Sequence, residues 1–137
     1  MMTRTSTKKT VAADYWQGRL DAARAFRRAA ENAITLAESG ADANPAISQI
    51  VLAAIAYADC LTAKRAHVVN QQDHMAASKL LRDVIGAALP AAQENRLRRI
   101  LGNKDASQYG ARPATMAQAQ RLLEDLKEFA NWVDGQI

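Results

Sequence analysis

One acidic residue stands alone in an apolar setting. Between Ala46 and Ala63 the only charged side chain is Asp59. In the same run Ile47, Ile50, Val51, Leu52, Ile55, Tyr57 and Leu61 would point to nearly every side of a helix. A carboxylate on such a helix must be ion-paired, protonated or solvated in a cavity. Two roles follow: an ion pair that fixes helix register, or a carboxylate lining a functional cleft. Helical-hairpin geometry names the partners. A turn near residue 71 sets Asp59 level with residue 83, beside Arg82; a turn near residue 42 sets it level with residue 26, beside Arg27.

A second group is basic. Arg96, Arg98 and Arg99 form a short stretch on a helical pattern. Such a stretch is either a solvated face or a patch that contacts phosphates. His74 follows Asp73 at a helix start and reads as a capping and turn histidine, with a polar position in a cleft beside Asp59 as its functional alternative. His67 and Arg65 are two apart and do not share a helix face. Cys60 is the one cysteine, so no internal disulfide can form. Gly-rich phosphate loops, Cys-x-x-Cys, His-Glu-x-x-His and nucleophile elbows are all missing. Two His and one Cys do not make an ordinary structural zinc site, and no Glu-x-x-His pair suggests a di-metal bundle. The expected metal and cofactor content is none.

The elements that must carry these residues are helices. Ala accounts for 30 of the 137 residues, against 6 Gly and 3 Pro, a composition that favours helix throughout. Trp16, Leu20, Ala23, Phe26, Ala30, Ala33 and Ala37 recur at steps of three and four, predicting a helix from about Val11 to Ser39 with Gly40 as its stop. Asn44 as N-cap and Pro45 in the first turn open a second helix, buried and central, ending near Asn70. Asp73 caps a third, from His74 to about Leu89, where Pro90 intervenes. A short helix covers about Ala92 to Leu101. Thr115 and Gln118 form a capping box for the last, Met116 to about Asp134, with Leu122, Leu126, Phe129 and Val133 as its core stripe. No strand is predicted. The predicted fold class is all-α: an up-down four-helix bundle with an additional short helix. Residues 1–10 read as a disordered N-terminal tail and 11–137 as a single helical domain.

Charge is uneven along the chain. The net charge is +4, with +3 in residues 1–10, zero in 11–91, +3 in 92–112 and −2 in 113–137. A mildly basic balance permits an acidic partner without requiring one. No uncharged apolar run reaches the ~18 residues of a membrane span, and the basic start is not followed by an apolar signal region.

The stretch Ala53–Leu81, AAIAYADCLTAKRAHVVNQQDHMAASKLL, resembles the second helix, turn and third helix of HEPN domains. Leu97–Leu123, LRRILGNKDASQYGARPATMAQAQRLL, is similar to that family's helix end, basic residue, spacer with an aromatic or His, and capped final helix. The resemblance covers about Ile47 to Val133. It implies a HEPN-like bundle that forms a two-fold homodimer. It also implies an association with RNA in toxin–antitoxin, defence or RNA-processing systems. Catalytic members carry Arg, four to six residues, then His; at the matching place here stand Lys104, four residues, and Tyr109. A phenol with a pKa near 10 is a poor general base at neutral pH, and Lys lacks the planar fork of Arg.

The sequence thus leads to a cytoplasmic, homodimeric, RNA-associated binding or regulatory module without the usual RNase pair. Its nucleic-acid contacts would be Arg96, Arg98, Arg99 and Lys104, and its further partner an antitoxin or nucleotidyltransferase. The rival readings are a metal-independent RNase using Lys104 and Tyr109 as catalytic residues, and a structural helical partner protein.

Overall fold

A computed structural model describes residues 8–103 and 113–137. Within them lie five α-helices: α1 (Tyr15–Thr35), α2 (Ala43–Ala66), α3 (Ala76–Ile85), α4 (Ala91–Gly102) and α5 (Met116–Gln136). Two three-residue strands, β1 (Lys8–Thr10) and β2 (Val68–Asn70), pair antiparallel, with Lys9 opposite Val69. The all-α expectation holds at this level.

α2 is the centre. α1, α3, α4 and α5 all pack against it, and α4 packs in turn on α5. Fourteen of its 24 residues are buried, which is what a helix apolar on every side requires. By length and composition the segment Gly40–Ala66 could cross a membrane even though Asp59 interrupts its apolar run; 72% of its apolar window is covered by the rest of the chain. Tyr57, Phe129, Ile47, Ile50, Leu61, Leu81, Leu97, Ile100 and Leu126 are the largest of the fully buried side chains among the described residues. Burying each is worth about 1.5–3 kcal/mol. One apolar cluster runs from Leu20 to Val133. The Tyr57 hydroxyl is not orphaned, because Arg27 hydrogen-bonds to it.

Several element ends differ from the sequence reading. α1 stops at Thr35, and a 3₁₀ turn over Gly40–Asp42 precedes α2. The cap is built by Ser39 and Asp42: Ser39 Oγ accepts from the Ala41 amide (3.2 Å), and Asp42 Oδ2 accepts from the Ser39 amide (3.2 Å). Asn44, expected as N-cap, instead accepts from the Ala114 amide at 3.1 Å, tying the start of α2 to the chain entering α5. α2 ends four residues before Asn70. His67 takes the left-handed conformation (φ 56°) as its C-cap, and its carbonyl accepts from the Val11 amide at 2.9 Å.

That bond begins the strand pairing. Lys8–Thr10, read from sequence as disordered tail, are therefore the edge partner of Val68–Asn70, and Val69 is buried. The lysines of Lys8–Thr10 carry little strand signal on their own; pairing with β2 overrides it. Asp73 Oδ1 does cap the start of α3, accepting from Ala76 (3.3 Å). Gly86 (φ 67°) ends α3 in a conformation that favours glycine. The Thr115–Gln118 capping box of α5 is present as expected, at 2.8 and 3.1 Å.

Candidate functional site

Asp59 meets Arg19, not Arg27 or Arg82. Arg19 Nη2 lies 3.3 Å from Asp59 Oδ2, and only 14% of the Asp59 side chain is exposed. Arg27 pairs with Glu31 at 2.8 Å and Arg82 with Glu94 at 2.9 Å. The error was in the turn. α1 ends at Thr35 and α2 starts at Ala43, so the hairpin's midpoint is residue 39. Reflection about 39 puts Asp59 level with Arg19. On α3 the buried face is Ala77, Ser78 and Leu81, and Arg82 is exposed, directed to α4. Arg19 did leave a signal in the sequence. It is three residues after Trp16 and four before Ala23, so it interrupts the apolar face of α1 as Asp59 interrupts α2.

Burial pushes the Asp59 carboxyl up to about 6, against the opposing pull of Arg19 and of a hydrogen bond from the Asn70 backbone amide. That amide belongs to β2, so Asp59 clips three elements together: α1, α2 and the strand pair. Asn70 Nδ2 in turn donates to the carbonyls of Gln72 and Asp73, ordering the turn before His74. His74 is half-buried at the entry to α3. Arg19 Nε is buried without a hydrogen-bond partner. Burial also pushes the Cys60 thiol up to about 11, which leaves it a poor nucleophile.

The other candidate is a cleft of about 530 Å³ between α4 and α5, lined by Arg99, Asn103, Gln118, Arg121, Leu122, Glu124 and Asp125. Helical spacing builds both walls. Arg96, Arg99 and Asn103 share a face of α4 at steps of three and four. Gln118, Arg121 or Leu122, and Asp125 do the same on α5. Arg99 clasps Asp125 with two bonds, Nε to Oδ2 at 3.1 Å and Nη2 to Oδ1 at 2.9 Å. This carboxylate raises the Arg99 pKa further.

The basic triplet is therefore split. Arg98 lies on the opposite flank, 4.0 Å from Glu94. Arg96 and Arg121 make no ion pair or hydrogen bond among the described residues. Arg99 reaches from α4 to Asp125, while Arg121, Glu124 and Asp125 all stand on α5, so two cations and two anions line the cleft. The lining holds no His, Cys or Tyr; its carboxylates are Glu124 and Asp125, the second clasped by Arg99. Lys104 and Tyr109 lie outside the described residues. Among the described residues no three His, Cys, Asp or Glu side chains group as metal ligands. Gln118 was read from the sequence only as a helix cap, and Arg121 and Asp125 went unremarked because a polar helix face looks like any solvated face. Comparison with protein-family models, curated proteins and solved structures found no match.

Proposed function

We propose that this protein is an RNA-associated binding or regulatory module of HEPN-like fold, which holds RNA phosphates along the seam of α4 and α5 without cleaving them. The observation that supports it is the pair Arg96 and Arg121. Most other arginines among the described residues are committed to a carboxylate, whereas Arg121 lines the cleft unpaired and Arg96, also unpaired, lies one helical turn along α4 from the lining residue Arg99. The +3 excess of residues 92–112 lies in the same part of the chain. Unpaired guanidinium groups release counterions on meeting phosphate and suit its bidentate geometry. The amides of Asn103 and Gln118 add polar contacts at the cleft's wall. An antitoxin or nucleotidyltransferase partner belongs to the same reading.

The test is fluorescence anisotropy with a single-stranded RNA oligonucleotide. Affinity should fall with salt, with a log–log slope of about −0.7 for each phosphate contact. Arg96→Glu combined with Arg121→Glu should weaken binding by about tenfold or more. Arg99→Ala combined with Asp125→Ala should change it little, because the two charges cancel and are removed together. Binding that ignores the double variant would refute the seam as the RNA site. RNA cleavage that disappears in Tyr109→Phe would replace this reading with the Lys104–Tyr109 ribonuclease.

A further inference from the structure

Three large apolar side chains are exposed on the α1–α2 hairpin: Tyr15 (37%), Leu36 (75%) and Leu52 (39%). On α1, Tyr15, Ala22, Ala25, Ala29 and Leu36 are separated by three, four or seven residues and so share a face. Ala25 and Ala29 are exposed and Ala22 is half-buried. No charged residue interrupts this face from Tyr15 to Leu36. It is not the face that packs inward, which carries Leu20, Ala23 and Ala30. The Arg19–Asp59 ion pair fixes the register of the hairpin. Two turns along each helix from that pair, half-buried Phe26 stands level with Leu52. The uncharged surface thus continues from α1 onto α2 through Leu52 and Ile55, and nothing among the described residues covers it.

The charges on its edge name the occupant. Asp21 and Arg28 are both exposed, and neither makes an ion pair or hydrogen bond among the described residues. They are seven residues apart and border the same edge of the face. Their midpoint falls between residues 24 and 25. The midpoint of Tyr15 and Leu36 falls between 25 and 26. An apolar face and a charge pair whose centres fall within one residue of each other are self-complementary under two-fold rotation.

We propose that this face is a homodimer interface, in which α1 packs antiparallel on α1 of a second copy about a two-fold axis near Ala25. Asp21 of one protomer then meets Arg28 of the partner subunit, and the reverse pair forms symmetrically. Tyr15 of one protomer lies beside Leu36 of the partner subunit. Phe26 sits close to the axis, and the alanines let the two helices approach closely. Asp14, Asp21 and Arg28 follow that edge at seven-residue spacing, two acids and one base, a pattern that fits a second copy better than an anionic membrane, which selects for a cationic border. The proposal does not depend on the RNA reading.

Sedimentation equilibrium on the full chain tests it. The wild type should be dimeric at micromolar concentration. Ala25→Arg, which sets two like charges against each other at the axis, should give a monomer of unchanged helical circular dichroism. Asp21→Arg or Arg28→Asp alone should weaken the dimer by about threefold to tenfold, and the two together should restore it. This exposed charge-swap series keeps the test decisive if Ala25→Arg fails to fold. A monomeric wild type overturns the proposal, whether or not it binds vesicles of anionic phospholipid. So does a dimer indifferent to Ala25→Arg, or single swaps without mutual rescue.

Discussion

Among the arginine–carboxylate pairs that join helices in this protein, Arg99–Asp125 and Arg19–Asp59 form a contrast, and the better-formed one carries less of the fold. Arg99 and Asp125 join α4 to α5 through two bonds, the shorter 2.9 Å, but the arginine side chain is 55% exposed. Arg19 and Asp59 join α1 to α2 at 3.3 Å, with side chains only 27% and 14% exposed. Water and salt compete for the first pair and hardly reach the second. The inner pair also has a third member, the Asn70 amide, so its loss would loosen β2 as well. Burial, rather than distance, decides what each pair does.

Removing the inner cation should have the largest effect. At pH 8, Arg19→Ala leaves an ionised carboxylate buried without its partner and should lower unfolding free energy by about 3–5 kcal/mol. Near pH 4.5, where Asp59 holds its proton, the loss should be clearly smaller. Urea titrations at both pH values check this. Equal losses would mean that Arg19 contributes through packing and not through charge.

Removing the inner anion should act through pH. The folded state raises Asp59 from 3.8 to about 6, so it binds the proton more tightly than the unfolded chain does. The stability this gives is complete below about pH 4 and is lost as pH rises through about 6. The shift corresponds to roughly 3 kcal/mol. Asp59→Asn keeps an acceptor for the Asn70 amide and removes the titration. Relative to wild type, the variant should gain stability between pH 4 and 7 by up to that amount. A difference that stays flat with pH would show that Asp59 reaches water.

The outer pair should give the smallest effect. Arg99→Ala should cost at most about 1 kcal/mol, and the cost should largely vanish in about 1 M salt. Thermal unfolding at two salt concentrations measures it. A salt-resistant loss of several kcal/mol would put both pairs in one class and remove the contrast.

How much of this was readable beforehand differs from residue to residue. Asp59 was legible because one charge in an apolar helix has few stable fates. Its partner was not, because choosing among Arg19, Arg27 and Arg82 needed the hairpin midpoint. Three residues of error in a turn move the partner by nearly two helical turns. The Arg96–Arg99 stretch was legible as basic, and Glu94 stands four residues before Arg98 on the same helix, but the clasping of Arg99 depends on Asp125 arriving from α5.

By itself the sequence determined the helices, through apolar spacing, the Ala-rich composition and the Thr115–Gln118 cap, and it determined that α2 lies at the centre. These follow from interactions within a few residues, or from a helix having no polar face to leave in water. Tertiary structure alone decided the strand pairing of Lys8–Thr10, the capture of Asn44 by Ala114, and the Arg19–Asp59 pair. Each joins groups far apart in the chain. Their formation depends on how the intervening helices are spaced, and no local pattern carries that information.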